Sequence, residues 1–227
     1  MPINHDYITE YIRSSIPKPT GLLADLETYA AENHVPISQP ETLRFIQVLC
    51  SITKPKRILE IGTAIAYFAI NAASWSDDIQ ITTIEKSEEM ANIARENIAA
   101  AKLENRIQLI HGDAKDILPE LVGRDALGTP QKSITEQFDL IFLDAAKGQY
   151  MNFLPYCINL LKTDGILISD NVLFDGMVAT DELWKKRKCT IIRNLREYIK
   201  EIMDNDRLET AIIPIGDGVA ISYKAGE

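Results

Sequence analysis

Cysteine is scarce: Cys50, Cys157 and Cys189 are widely spaced and form no C-x-x-C pair. An odd, scattered set argues against a disulfide framework and gives no zinc-ligand spacing, which favours a reducing, cytoplasmic setting. No apolar run approaches the roughly 18–20 residues needed to cross a bilayer. The first residues, with Asp6, Glu10 and Arg13, contain no apolar stretch of the secretory type. Positive charge is in deficit: a net charge of −9 argues against coating a nucleic acid and leaves room only for a local basic patch. Also missing is the G-x-G-x-x-G fingerprint of dinucleotide sites, since "ILEIGTAIAYFAI" (58–70) holds Gly62 alone.

What is present reads as one ordinary globular domain over 1–227, with no repeat, low-complexity tract or linker. Residues 1–53 carry helix-spaced apolar positions: Tyr7, Ile8, Tyr11 and Ile12; then Leu22, Leu23, Leu26 and Tyr29; then Leu43, Ile46, Val48 and Leu49. "IPKPTG" and "VPISQPET" separate these three segments. From residue 54 the texture changes to short apolar runs: "RILEI", "IQITTIE", "IQLIHGD", "FDLIFLDAA", "GILISDNVLF", "LETAIIPI" and "GVAISYK". Helical patterns fill most gaps, notably 87–102, 148–161 and 181–204. Alternating strands and helices imply right-handed crossovers and a mostly parallel sheet covered on both faces. Only "PIGDG" separates the last two runs, so these should pair as an antiparallel hairpin. The expected architecture is α/β: a Rossmann-like, seven-stranded, mostly parallel sheet (54–227) with a C-terminal hairpin and an N-terminal helical cap (1–53). Residues 123–137 form an unusually long polar loop, either functional or merely tolerated at the surface.

Ligands of such sheets sit beyond the carboxyl ends of the strands. Read in order, those ends carry Glu60-Ile61-Gly62-Thr63, Glu85, Asp113-Ala114, Asp144-Ala145-Ala146-Lys147 and Asp170-Asn171. Solvated strand ends account for one or two acids in such positions, not for five in succession. Glu85 stands where an acid accepts hydrogen bonds from ribose hydroxyls, which suits a dinucleotide or S-adenosylmethionine. A dinucleotide also needs close backbone approach to its pyrophosphate. S-adenosylmethionine has none, so a single glycine suffices and the turn leans away from NAD. Asp144, Asp170 and Asn171 make an all-oxygen set suited to Mg²⁺ or another hard divalent ion. A neighbouring cation disfavours the ammonium form of lysine, which suits Lys147 to the role of general base.

"EIGTAIAYFAI", "GDA", "FDLIFLDAAKGQY", "GILISDNVLFDGMVA" and "IPIGDGVAIS" together resemble the class I, divalent-metal-dependent O-methyltransferases of the catechol and caffeoyl-CoA type. The likeness covers nearly the whole chain, and "DAAKGQY", "DNVLFDG" and "GDGVAIS" are most similar to the bacterial branch that methylates 5-hydroxyuridine at the tRNA wobble position. The resemblance implies that Glu85 binds ribose, that Asp113 and Ala114 border adenine, and that Ser38 with the 60–68 turn (Glu60, Gly62, Thr63, Phe68) borders the methionine part. It implies metal ligation by Asp144, Asp170 and Asn171, with Asp144 also serving the cofactor's amino group. Lys147 would be the base, and the enzyme a homodimer whose N-terminal helices cover the site. Two departures stand out, since the family usually reads Gly-Tyr-Ser where this chain reads Ala66-Tyr67-Phe68. Ala66 is expected to be mild, needing only a helical backbone. Phe68 removes a hydroxyl that in the family donates to the cofactor's carboxylate, a loss of roughly 1.5–3 kcal/mol unless something replaces it. Its bland alternative is packing on a helix face.

Catechol offers two adjacent oxygens to a metal, and 5-hydroxyuridine does too, so the site chemistry alone does not separate a small phenolic substrate from tRNA. What surrounds it must. "KKRKCTIIRNLREYIK" (185–200) is the one basic concentration, and Lys185, Lys186, Arg187, Lys188 and Arg193 could receive phosphates of an anticodon loop, which with the motif likeness makes 5-hydroxyuridine of tRNA the first reading and a small catechol- or caffeoyl-CoA-type acceptor the second. The alternative is a solvated helix face with Arg193 and Glu197 as an i,i+4 pair. Trp184 reads equally as a stacking platform or a helix anchor. A third reading, from another class, is a non-catalytic dimeric binding protein in which Phe68 has crippled cofactor capture.

Overall fold

The central apolar runs "RILEI" and "FDLIFL" form strands in which nearly every residue is buried, as expected for strands covered on both faces, while the outer strands bury fewer. In a computed structural model of the chain, residues 3–123, 137–183 and 188–226 are described. Three helices lead, α1 (Asp6–Ser15), α2 (Leu22–Asn33) and α3 (Pro40–Thr53). The alternating part follows: β1 (Arg57–Ile61), α4 (Tyr67–Trp75), β2 (Gln80–Glu85), α5 (Glu88–Ala100), β3 (Ile107–His111), α6 (Ala114–Leu121), β4 (Phe138–Leu143), α7 (Tyr150–Leu160) and β5 (Leu161–Ser169). Helix α8 (Cys189–Asp204) and the strands β6 (Leu208–Ile213) and β7 (Val219–Lys224) complete the chain.

The sheet has seven strands in the order β3-β2-β1-β4-β5-β7-β6. Five run parallel, while β7 pairs antiparallel with both β5 and β6. Three boundaries differ from the sequence pattern. Strand β5 starts at Leu161 rather than Gly165, because Asp164 takes a left-handed conformation (φ 64°) that lets "KTDG" join the ladder with a register shift beside Phe138. It also ends at Ser169, because Asn171, Phe174 and Asp175 all have positive φ and turn the chain away from the sheet. The 181–204 helix resolves into a short turn (Asp181–Leu183) and α8, with 184–187 outside the described residues.

Side chains alternate across β1, so Ile58 faces one layer and Leu59 and Ile61 the other. The first layer packs Ile58, Ile81, Leu140 and Phe142 under α2, α3, α4 and α5. The second packs Leu59, Ile84, Ile141 and Leu167 under α6, α7 and α8. Helix α8 supplies Ile192, Leu195, Tyr198 and Ile202 at helical spacing. Lys224 is buried, but its ammonium donates to the carbonyls of Ile158 (2.8 Å) and Leu161 (2.6 Å) where α7 ends and the helix dipole favours a cation. Helix α1 buries no residue and is tethered by Arg13, which bonds Glu41 (2.8 Å) and Gln39 (2.5 Å). Among the described residues no helix is long and apolar enough to cross a membrane.

Candidate active site

The strand order places the carboxyl ends of β3, β2, β1, β4 and β5 in a row, and a cavity of about 1160 Å³ opens over them. Gly62, Glu85, Asp113, Ala114, Asp144, Lys147, Asp170 and Asn171 all line it. Helix α2 and the segment after it close the far side with Glu27, Ala30, Val35 and Ile37. This volume exceeds the upper part of the roughly 300–1,000 Å³ range of small-molecule clefts.

The β1–α4 turn explains its single glycine. Gly62 sits at φ 107°, and a Cβ there would overlap the backbone carbonyl of Asp144. The turn continues through Ala64 (φ 47°) and Ala66 (φ 65°). Ala66 therefore does not have the helical backbone expected of it: it is the left-handed residue that precedes α4, a conformation that favours glycine. Phe68 is not where a ligand could meet it either. Its ring is buried, stacks on Phe142 at a centroid distance of 4.2 Å and meets Trp75 edge-on at 6.0 Å. Phe68→Ser should therefore cost about 3–5 kcal/mol in denaturant unfolding and leave cofactor affinity no better. Unchanged stability, or tighter cofactor binding, would sink this placement.

Three further expected contacts also lie behind the cavity wall. Thr63 is buried with its hydroxyl 2.5 Å from that of Thr83, which donates to the Glu60 carboxylate at 2.5 Å. Ser38 is buried between the lining residues Ile37 and Gln39. Burial, with the charges of Asp144 and Glu85 adding to it, pushes the Glu60 carboxyl well above the usual range, so it keeps its proton when folded. An unfolded chain loses that proton near pH 4.3, so this group makes stability fall as pH rises from about 4 toward its raised folded value. Glu60→Gln should remove that decline, which a comparison of denaturation midpoints at pH 5 and 8 reads directly. An unaltered slope would contradict a protonated Glu60.

At the β2–β3 end, one Glu85 oxygen accepts from the Ala64 N–H and the other from the Ser87 N–H, both at 2.8 Å. Asp113 caps α6 through the Lys115 N–H (3.0 Å) and pairs with Lys86 (2.8 Å), which holds its carboxyl below the usual range. At the β4–β5 end, Lys147 Nζ lies 2.5 Å from Asp144 Oδ1. Asp170 is buried beside them, accepts from the Asn171 N–H at 2.7 Å, and is pushed up to about 7 by burial and by the charge of Asp144. Asn171 has φ 55°, where asparagine is tolerated better than most residues.

Two residues missed in the sequence complete this end. The Tyr150 hydroxyl, fully buried, bonds the carbonyls of Leu143 (2.9 Å) and Asp170 (3.0 Å) and so ties together the strand ends bearing the two aspartates. Asp217, in the β6–β7 loop, accepts from the Asp175 N–H at 2.5 Å and is raised to about 6 by burial. The sequence offered "GDG" as a turn and as part of a motif carrying the family resemblance, and neither gave its acid a role. Asp217 lines a second cavity of about 470 Å³ that shares Gln39 and Asn171 with the first. Among the described residues no group of three or more His, Cys, Asp or Glu side chains is arranged to hold a metal.

Of the basic segment, Lys185, Lys186 and Arg187 lie outside the described residues, as do Trp184 and 124–136 of the long loop. Lys188 is engaged within the fold, over the Phe174 ring (4.5 Å) and 3.5 Å from Asp175. Arg193 is exposed on α8, with Glu197 on the same outer face.

A family model described as O-methyltransferase matches residues 16–225. The chain is 31% identical to a caffeoyl-CoA O-methyltransferase of Stellaria longipes over 95% of its own length and 87% of that protein's. It is 33% identical to a catechol O-methyltransferase of Niastella koreensis, covering 71% of this chain and 70% of that one. Among solved structures, a candidate caffeoyl-CoA O-methyltransferase from Staphylococcus aureus superposes with a TM-score of 0.86 at 32% identity, over 97% and 100% of the two chains. An O-methyltransferase from Bacillus cereus in complex with S-adenosylhomocysteine superposes with a TM-score of 0.80 at 25% identity, over 96% and 97%. Membership of an enzyme family leaves no place for the reading as a non-catalytic binding protein. A turn that needs one glycine, an acid at the end of β2, a cavity over five strand ends and a match over most of its length agree: this chain belongs to the O-methyltransferase family of S-adenosylmethionine-dependent enzymes.

Proposed function

We propose that the protein methylates one of two adjacent oxygens on a small phenolic acceptor. The observation that carries this is the Lys147–Asp144 pair at 2.5 Å beside buried Asp170 and Asn171, all at one end of the cavity. Burial and the charge of Asp144 raise the Asp170 carboxyl, as expected where two carboxyl groups crowd together, and the oxygen donors of Asp144, Asp170 and Asn171 fit a hard divalent cation. Asp144, Asp170 and Asn171 would hold such an ion, with its open positions left to acceptor oxygens and water. Bound there, it supplies a Lewis acid for two adjacent oxygens, and the cofactor supplies a methyl group on a sulfonium.

The chain's own groups then have separable tasks. Lys147 is the group placed to take the proton of the acceptor hydroxyl, and Asp144 holds its Nζ in place. Tyr150 fixes the spacing of the strand ends that carry Asp144 and Asp170. The acceptor's ring is assigned to the side of the second cavity, reached past Gln39 and Asn171. The exposed Tyr7, Ile8, Tyr11 and Ile12 of α1 are the surface we assign to a second copy in a homodimer.

The names of the relatives favour the small acceptor. The second reading, 5-hydroxyuridine of a tRNA anticodon loop, is favoured by one observation. Asn194 donates to the Gly148 carbonyl at 2.9 Å, which sets the Arg193 turn of α8 next to the turn bearing Lys147. A single competition separates the two: protein, cofactor and Mg²⁺ with equal 3,4-dihydroxycinnamate and tRNA from a deletion strain. Methylated phenol with unmodified tRNA is expected. Appearance of 5-methoxyuridine in nucleoside mass spectrometry, without phenol methylation, would reverse the assignment.

A further inference from the structure

Helix α1 turns its polar face inward. It buries no residue, and its apolar Tyr7, Ile8, Tyr11 and Ile12 are exposed. Asp6, Thr9, Glu10 and Arg13, at helical spacing, line the second cavity of about 470 Å³ instead. Its other walls bring Glu41 from α3, Asp175 from the segment after β5, and Gly216 and Asp217 from the β6–β7 loop. Five carboxylates thus surround a space with one basic side chain, Arg13. Arg13 is taken by Glu41, whose two oxygens it bonds at 2.8 and 2.9 Å, and Asp175 has Lys188 at 3.5 Å. Among the described residues no basic group is ion-paired with Asp6, Glu10 or Asp217.

An independent feature marks this space as one that a ligand enters. The Thr42 hydroxyl, near the start of α3, is fully buried and has no hydrogen-bond partner among the described residues. A Cβ added to Gly216 would lie 2.7 Å from it, so the hydroxyl faces the gap that this glycine leaves in the cavity wall. Leaving such a group unpaired costs about 1–3 kcal/mol. Asn4 adds a further acceptor: its amide nitrogen donates to the Pro214 carbonyl at 2.6 Å, which leaves its oxygen for the cavity. Carboxylates spread round a cavity do not converge as metal ligands do, and no described cluster of them is arranged to hold a metal. Dispersed acceptors suit an organic ammonium, which has three donors to distribute. Gln39 and Asn171 border both cavities, so that ammonium belongs to the molecule whose oxygens react.

We propose that the second cavity binds an ammonium group carried by the acceptor, with Asp217 as its main partner, so that the preferred substrates are catechol-type amines. This deepens the small-acceptor reading and rests on it. Asp217 is half-buried, whereas Asp6 and Glu10 are exposed and contribute attraction at longer range. A carboxylate partly screened from water makes the stronger charge-assisted hydrogen bond. Anionic acceptors such as 3,4-dihydroxycinnamate are still methylated, but more slowly, because their carboxylate meets like charge.

Three acceptors with one ring test this: 3,4-dihydroxyphenethylamine, 3,4-dihydroxyphenethyl alcohol and 3,4-dihydroxyphenylacetate, which are cationic, neutral and anionic near pH 7. With S-adenosylmethionine and Mg²⁺, kcat/KM for the amine should exceed that for the alcohol about ten- to a hundredfold, with the acetate below both. The ammonium is remote from the reacting oxygen, so the difference should lie in KM, with kcat within about threefold. Asp217→Asn should lower the amine-to-alcohol ratio at least about fivefold, and Glu10→Gln by a smaller factor. The ratio is taken within one preparation, so any loss of folded protein cancels from it. An amine no better than the alcohol in the wild type, or a ratio unchanged by Asp217→Asn, overturns the proposal and leaves the small-acceptor reading intact. Failure to methylate any of the three overturns both.

Discussion

Lys147→Met is expected to lower kcat for methyl transfer by about 10²–10⁴-fold, the usual contribution of a positioned general base. The change keeps the stem that packs in the half-buried turn after β4 and removes only the ammonium bonded to Asp144. S-adenosylhomocysteine affinity should stay within about threefold, because only a group acting in the transition state loses rate without losing ground-state binding. The stability effect separates this from a folding defect. Without Lys147 the Asp144 charge faces buried Asp170 unrelieved, so the variant should lose about 1–3 kcal/mol, too little to empty the native state of a domain with 5–15 kcal/mol in hand. A variant retaining more than about a tenth of the wild-type rate at saturating substrate would rule out Lys147 as the base.

Gly62→Ala should have the largest structural effect of any single methyl group added near the cavity. The new Cβ would overlap the carbonyl oxygen of Asp144, lie 2.8 Å from its carbon and 3.2 Å from the Cα of Ala145. All three are backbone atoms, so no rotamer change relieves the overlap. The residue would also have to hold φ 107°, which L-residues rarely adopt. Backbone strain and overpacking each cost about 1–3 kcal/mol, so the sum is roughly 2–6 kcal/mol. Relief requires moving the end of β4, and with it Asp144 and Lys147. Denaturant unfolding should register the loss, and whatever folded protein remains should have lost most of its methyl transfer. A midpoint change equivalent to less than about 1 kcal/mol would show that the strand ends are not packed as described.

The contrast between Ala66 and Gly62 shows how far local sequence carries. Strand positions were legible because runs such as "FDLIFL" are buried on both faces, and the acids that end them follow from where ligands sit in parallel sheets. Gly62 was legible as the one glycine in the turn. The left-handed backbone at Ala66 was not, because alanine carries no signal for positive φ. Phe68 misled for a related reason: its place in the motif pointed to the ligand, while its apolar ring had a buried partner, Phe142, seventy-four residues away in sequence. Glu27, Tyr150 and Asp217 were invisible because each acts through tertiary contact alone. Glu27 reaches Tyr67 across helices, Tyr150 bridges two strand ends, and Asp217 sits in a loop whose motif signalled a turn and a family likeness but no role for the acid. The start of β5 was missed because a left-handed aspartate let polar "KTDG" join a ladder that its composition argues against.

The central claim is that Asp144, Lys147, Asp170 and Asn171 act on two adjacent oxygens of one acceptor. Initial rates of methyl transfer to catechol, resorcinol and phenol, measured under one set of conditions with S-adenosylmethionine and Mg²⁺, test it most directly. The three acceptors share a ring and a phenolic hydroxyl and differ in whether a second oxygen is present and whether it stands next to the first. Catechol should be methylated at least about a hundredfold faster than either of the others, a difference of about 2.7 kcal/mol in transition-state stabilisation. Equal rates on all three would contradict the account, because a site that does not need the neighbouring oxygen is not the one described.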